Sequence, residues 1–271
     1  MRLAFTTLAC PGWTLEQAAA AGRAAGYEGL ELRLLDGEVV GPTLDAAGRR
    51  RVREVCAAEG LALVCLDTSV RIAQPDAGER EQQLRDGIAM LEMAAELGAP
   101  MIRVFAGPPQ GTALDEAVRG AAACLAPLAE KGRELGVAVA LETHDAFCDS
   151  STVARVLEQV PGESAGALWD LLHPYRIGES PDLTLSRLGG RLLHVHIKDG
   201  RPPAGGGSNW DLTLLGEGAV PTREILAALR VAGYDGWLAV EWEKKWHPEL
   251  AEPEVALPQH AEKLREYLAA L

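Results

Sequence analysis

Glu142, Asp170, His196 and Glu241 each stand at or near the end of a short apolar run. Their neighbours Leu141, Leu168, Val195 and Val240 are apolar, so each ionisable group is expected to be partly withdrawn from water. Three carboxylates drawn together in such a place repel one another and raise one another's pKa unless a cation lies among them. A divalent cation resolves the conflict. Three carboxylates and one imidazole, with no thiolate, suit Mn2+, Mg2+ or Co2+ and also admit Zn2+. Taken singly, each residue has a plainer explanation: a carboxylate at a strand end can cap the next helix, as Asp149 and Ser150 are placed to do. A histidine within a strand is commonly a hydrogen-bonded core residue.

Other ionisable groups cluster around these four. Residues two apart on a strand share a face, which puts His144 with Glu142, His194 with His196 and Glu243 with Glu241. His194 lies one layer deeper than His196 and is placed to orient it. His173 follows Asp170 by three residues, just past the strand end, and Lys198 and Asp199 carry the seventh run into a loop. Arg103 lies in the fourth run. Arg103 and Lys198 could each hold a substrate oxygen or serve as an ordinary salt-bridge partner. The HExxH and P-loop patterns are absent, and the carboxylate and imidazole set points to chemistry through a bound metal.

The elements that must position these groups alternate along the chain. Apolar or β-branched runs at Leu3–Leu8, Gly29–Leu34, Leu61–Asp67, Met101–Phe105, Ala138–Thr143, Ala165–Asp170, Leu192–Lys198 and Trp237–Glu243 read as strands. Helical spacing fills the intervals: Thr14–Ala25, Thr43–Glu59, Glu79–Leu97, Thr112–Leu135, Ser150–Gln159, Leu183–Leu188, Thr222–Val231 and Val255–Ala270. Gly26, Gly60, Gly98, Gly136 and Gly233 stop helices just before a strand. Eight such units in about 250 residues predict a closed (β/α)8 barrel, a single domain over residues 1–271, with the ionisable groups at the C-terminal rim. An open dinucleotide-binding sheet would need GxGxxG after the first strand, and Pro11-Gly12-Trp13-Thr14 does not supply it. Residues 200–220, with Gly205 to Gly207 in succession, read as a flexible hairpin near the barrel mouth.

Composition narrows the partners. The formal charge is −13, from 26 basic against 39 acidic residues, with no basic stripe, so no nucleic-acid partner is expected. Five scattered cysteines without a CxxC pair argue for reduced thiols and a cytoplasmic location. The opening apolar run before Cys10 reads as a first strand closed by Pro11-Gly12. No stretch approaches the ~20 apolar residues of a membrane span, so no membrane partner is expected.

The segments ALETHD, WDLLHP, HVHIKDG, LGEGAVPTREI and GYDGWLAVEWE, in this order and spacing, resemble the sugar phosphate isomerases/epimerases of the xylose-isomerase-like TIM barrels. That superfamily also holds ketose 3-epimerases, inosose and 3-dehydroshikimate dehydratases and endonuclease-IV-type nucleases. The resemblance covers nearly the whole chain. It implies a single TIM barrel and one divalent cation, Mn2+ for preference, held by Glu142, Asp170, His196 and Glu241. It further implies that Glu142 and Glu241 exchange a carbon-bound proton as base and acid, that His173 contacts substrate oxygens, and that Arg201 is the counterpart of a substrate-binding arginine. The nuclease branch needs histidines on the second and third strands, and Gly29–Leu34 and Leu61–Asp67 contain none.

These readings converge on an isomerase or epimerase of a small polyhydroxylated keto compound, with proton transfer through a metal-stabilised enediolate. A dehydratase or lyase of the inosose or 3-dehydroshikimate type is the alternative, with His144 or Lys198 as the added acid or base. A non-catalytic sugar-binding barrel would not need the pair Glu142 and Glu241. Trp13, Arg33 and Phe105 lie where substrate choice would be made, and apolar residues in Trp242 to Pro248 leave room for a homo-oligomer.

Overall fold

A computed structural model of the chain describes residues 1–207 and 209–271. Its centre is a closed barrel in which each strand hydrogen-bonds to the next in the chain and the last returns to the first. The strands are β1 (Arg2–Thr6), β2 (Gly29–Leu32), β3 (Ala62–Arg71), β4 (Met101–Phe105), β5 (Ala138–Glu142), β6 (Ala165–Asp170), β7 (Leu192–Ile197) and β8 (Trp237–Val240). All pairings are parallel; Phe5 opposes Val240 where the barrel closes. The fold is the (β/α)8 TIM barrel expected from the eight repeats.

Helices α1 (Leu15–Ala25), α2 (Ala46–Glu59), α3 (Ala77–Leu97), α4 (Leu114–Leu135), α5 (Ser150–Leu157), α6 (Leu172–Arg176), α7 (Pro181–Leu188), α8 (Thr222–Val231) and α9 (Pro253–Ala269) make the outer layer. Their starts follow side-chain caps: Thr14 and Gln17 form a capping box, and Asp45, Asp76, Asp149 and Ser180 each accept a backbone N–H of the first turn. Gly26, Gly60, Gly98 and Gly136 end helices with φ between 66° and 87°, a conformation that turns the chain directly into the next strand.

Outward strand residues such as Phe5, Leu30, Leu66, Ile102 and Val139 pack with helix residues including Leu91, Leu125, Val153, Ile225 and Leu264 in the main core. Inward positions are different. Ala4, Val64, Trp237 and Ala239 form one small apolar cluster, and Cys65, Met101, Ala140 and Leu168 another. With a side-chain period of two, the next inward residues toward the strand ends are Thr6, Glu142, Asp170 and Glu241. The polar layer therefore lies directly above an apolar floor.

The structure adjusts several expected boundaries. The first run bends at Thr6 into a single turn, Thr7–Ala9. The second splits: β2 ends at Leu32, and Leu34–Leu35 pairs with Glu38–Val39 across Asp36-Gly37, whose φ values of 53° and 83° suit a tight hairpin turn. β3 continues to Arg71, four residues past the expected end, and β8 stops at Val240, just before Glu241. Residues 172–176, which lie outside the expected helices, form the one-turn α6. In the long loop Asp199–Arg201 pairs with Asp211–Thr213, and the Asp199 carboxylate accepts backbone N–H groups of Gly200, Gly216, Gly218 and Val220. Ser208, within that loop, lies outside the described residues. Among the described residues, no helix is long and apolar enough to cross a membrane. The five cysteines are free thiols.

Candidate metal centre and active site

Register brings the four residues together. Asp170 is directly opposite His196, and the backbone N–H of Glu241 donates to the carbonyl of Ile197. Glu142 closes β5 opposite Leu168, two residues before Asp170. One ligand atom from each of Glu142, Asp170, His196 and Glu241 lies within 4.8 Å of all the others, and all four residues are buried.

Each residue has one atom turned inward without a hydrogen-bond partner: Glu142 Oε1, Asp170 Oδ2, His196 Nδ1 and Glu241 Oε2. For three of them the other atom is held by the protein. Glu142 Oε2 accepts from Arg103 Nη1 at 2.9 Å, and Asp170 Oδ1 accepts from the backbone N–H groups of Leu172 and His173 at 2.8 and 3.3 Å. His196 Nε2 lies 3.1 Å from Glu31 Oε2. Lys198 Nζ is an ion-pair partner to two of these atoms, Asp170 Oδ2 and Glu241 Oε2, and four buried ligand atoms gathered this closely mark a site for a ligand that accepts lone pairs. The donor set fits a divalent cation of the Mn2+, Mg2+, Co2+ or Zn2+ kind.

Positive charge from the protein borders the same point. Lys198 Nζ lies 2.8 Å from Asp170 Oδ2 and 2.5 Å from Glu243 Oε1, and it also contacts Glu241 Oε2. These ion pairs determine the ionisation of the cluster. Burial opposes ionisation of Glu241, but Lys198 and His196 outweigh it and hold the carboxyl well below its usual range. Burial likewise opposes ionisation of Glu142, and Arg103 outweighs it. For Asp170 burial wins over Lys198, and its pKa rises to about 6. Burial disfavours the charged forms of His196 and Lys198, yet the facing carboxylates, Glu31 foremost for His196 and Asp170 for Lys198, raise both well above their usual values. Ligation through His196 Nδ1 requires any proton there to leave.

The remaining expected site residues divide. His144 is half-buried on the cavity wall, 2.9 Å from Asp145 Oδ1, with its ring centre 4.6 Å from Phe105 and 4.7 Å from His173. His173 is buried, and burial together with Lys198 lowers its pKa well below normal, so it is a neutral imidazole. Both its ring nitrogens lack hydrogen-bond partners. Arg103 stacks over Phe105 at 3.8 Å and pairs with Glu142, which makes it the carboxylate's anchor. Arg201 departs from the expectation. It is exposed, opposite Asp211 in the hairpin, and is not among the residues lining the cavity. His194 packs edge-on against His196, with ring centres 5.6 Å apart, and both imidazoles also contact Glu31.

Sequence reasoning missed Glu31 and Asp67. Glu31 is fully buried among Gly29, Leu30 and Leu32, and a lone carboxylate inside an apolar strand was the available signal. Asp67, also buried, accepts from Thr6 Oγ1 at 2.9 Å, and burial with the nearby Glu31 charge lifts its pKa to about 7. Above this layer opens a cavity of about 450 Å3 lined by Arg33, Arg71, Arg103, Phe105, His144 and Glu241, among others.

Comparison with known proteins finds sugar-modifying enzymes of similar sequence and a solved structure of similar fold. The inosose dehydratase of Lacticaseibacillus casei is 28% identical over 158 residues, 53% of this chain and 51% of that protein. Fructoselysine 3-epimerase of Escherichia coli O157:H7 is 28% identical over 122 residues, 43% and 42% of the two chains. The chain thus spans about half the length of the curated relatives it matches. Among solved structures, the IOLI protein with a bound zinc atom superposes with a TM-score of 0.84 at 18% identity, covering 100% of this chain and 99% of that one. The sequence profile described as xylose isomerase-like TIM barrel matches residues 18–267, and the chain belongs to that family.

Proposed function

We propose that this chain is a divalent-cation-dependent enzyme that moves a proton at a carbon beside the carbonyl of a small polyhydroxylated keto compound, producing an isomer or epimer. The observation that carries the reading is the set of four buried ligand residues, each offering an atom within 4.8 Å of the others, beneath an open cavity. A cation held by Glu142, Asp170, His196 and Glu241 would supply Lewis-acid polarisation of a carbonyl oxygen. Everything else is the work of side chains. Glu241 borders the cavity and is held ionised, so it is the group able to accept a proton from carbon. Glu142, fixed by Arg103, is the second carboxylate facing the same point and the partner for return of the proton. His144, His173 and Lys198 present nitrogen atoms to substrate oxygens.

A second reading is favoured by one specific feature. His144 is an imidazole on the cavity wall whose pKa is raised: burial alone would lower it, but Asp145 and Glu142 outweigh that effect. A protonated imidazole there could donate to a departing β-hydroxyl after Glu241 takes the carbon-bound proton, releasing water and forming a carbon–carbon double bond. The resemblance to a dehydratase and to an epimerase supports both readings alike.

The test is NMR of neutral ketoses, cyclic polyhydroxy ketones and cyclic keto-carboxylates in D2O with Mn2+. Deuterium entering the carbon next to the carbonyl supports proton transfer, and net loss of water selects the dehydratase. Full turnover and unchanged bound metal in both Glu142→Gln and Glu241→Gln would remove the assignment altogether.

A further inference from the structure

Charge divides across the barrel mouth. Strands β5 to β8 bring the carboxylates and His196, whereas β2 to β4 and the residues at their ends bring Arg33, Arg71 and Arg103 to the same cavity. Three guanidiniums on one wall are unexpected in a chain of net charge −13. The acidic residues that share the cavity are already engaged: Glu243 with Lys198, Asp145 with His144, and Glu241 with Lys198 and His196. Arg103 is engaged with Glu142.

Arg33 and Arg71 are not engaged in this way. Among the described residues neither forms an ion pair, in contrast to Arg51, which pairs with both Glu16 and Asp36. Arg33 is 8% exposed. Its Nη1 donates to the carbonyl oxygen of Asp67 and to Ser69 Oγ, both at 2.9 Å, which fixes the plane of the guanidinium. Its remaining nitrogens make no hydrogen bond among the described residues. Burial and Arg103 oppose the charge of this guanidinium while Asp67, Glu241 and Glu142 favour it, but no carboxylate among the described residues pairs with it directly, and its free fork matches a carboxylate or phosphate group. Arg71, at the end of β3, is exposed at the rim of the same cavity.

We propose that Arg33 and Arg71 form an oxyanion subsite, and that the substrate carries a carboxylate or phosphate group bound there while its keto end faces Glu142 and Glu241. Calling the ligand a substrate rests on the proton-transfer reading above; the anion contact does not. A cavity of about 450 Å3 has room for a small molecule that spans both walls.

The test titrates inorganic phosphate and, separately, acetate into the full chain by isothermal calorimetry. Saturable binding of at least one probe is expected. Arg33→Met and Arg71→Met should each weaken it tenfold or more, and Arg223→Met, on the exposed face of α8, should leave it unchanged. Phosphate binding alone assigns a phosphate ester, acetate alone a carboxylate, and both together a general oxyanion subsite. No binding of either probe, or affinity unchanged in both cavity variants, overturns the proposal. Because Arg33 is buried, its replacement risks the fold; if that variant does not fold, the exposed Arg71 variant decides the case, and unchanged affinity in it overturns the proposal. Glu142→Gln and Glu241→Gln separate the two readings. If they lose turnover while the arginine variants keep wild-type anion affinity, the subsite falls and the proton-transfer reading stands. If they keep turnover while the arginine variants lose the anion, the reverse holds.

Discussion

Nε2 of His196 lies 3.1 Å from Oε2 of Glu31, and the other ring nitrogen, Nδ1, faces Glu142 and Glu241 at 3.5 Å each. One imidazole thus joins a carboxylate of β2 to the ligand cluster of β5 and β8 across the barrel interior. Glu31 also contacts His194 through its second oxygen, so a single carboxylate holds two imidazoles. Burial opposes its ionisation, but His196 and His194 outweigh burial and keep it charged. The consequence is a fixed ring orientation for His196, with Nδ1 turned to the site.

Glu31→Gln is therefore expected to keep the barrel and weaken the site. Loss of a carboxylate behind a metal-ligating histidine typically lowers cation affinity about 10–100-fold. Calorimetric titration of Mn2+ and Zn2+ into wild type and variant measures this directly, with circular dichroism as the check on folding. Equal affinities in a folded variant would mean that Glu31 serves the core alone.

Lys198 acts in the opposite direction on the same site. Its ammonium touches Asp170, Glu241 and Glu243, and it repels any cation that those carboxylates attract. Lys198→Met should bind a divalent cation more tightly, by roughly tenfold or more given like charges a few ångströms apart. Turnover should fall at the same time, because a nitrogen donor to substrate is lost. Weaker cation binding in a folded variant would show instead that Lys198 is needed to hold the carboxylates in place.

Asp199 is the structural half of the Lys198-Asp199 pair. Its carboxylate collects four backbone N–H groups from the loop that follows, at 2.8 to 3.1 Å. Asp199→Ala leaves those donors without their acceptor and should destabilise the protein by about 1–3 kcal/mol, read from urea unfolding midpoints. Gly218→Ala tests the same contact from the other side. A Cβ there would lie 2.1 Å from Asp199 Oδ1 and 2.5 Å from the carbonyl oxygen of Gly200, so the loop must shift. Stabilities within about 0.5 kcal/mol of wild type in both variants, the range of a neutral surface substitution, would show that the carboxylate does not fix the loop.

How much of this was readable beforehand differs between the two halves of the barrel. Apolar runs specify β4 to β7 almost to the residue, because each is a short buried strand. The four inward residues at the ends of β5 to β8 followed from strand period alone. The boundaries of β2 and β3 were less legible. Register shifts between Leu30 and Glu31, where the partners step from Leu63 to Cys65, and a shift of this kind leaves no mark in an alternating pattern. Glu31 stayed hidden for a related reason: its partners His194 and His196 are 163 and 165 residues away in sequence, and only closure of the barrel makes them neighbours. Arg201 shows the converse, since proximity in sequence to His196 placed it on an exposed hairpin edge and not among the residues lining the cavity.

His260 offers a prediction that is independent of the site. It is 1% exposed on α9, its Nδ1 lies 2.8 Å from the carbonyl oxygen of Ala256, and its ring packs 5.3 Å from that of Trp242. Burial lowers its pKa from 6.5 to about 4, so the folded protein holds it neutral where the unfolded chain would protonate it. Between those values the unfolded state binds the extra proton, and stability falls as pH falls. The contribution is complete above pH 6.5, declines through the interval and is exhausted near pH 4, for a loss of about 3 kcal/mol from this one group. Urea unfolding of wild type and His260→Leu at half-unit pH steps, followed by tryptophan fluorescence, isolates it. The variant should show a flatter dependence across the interval, and identical slopes for the two proteins would show that His260 takes up its proton without unfolding.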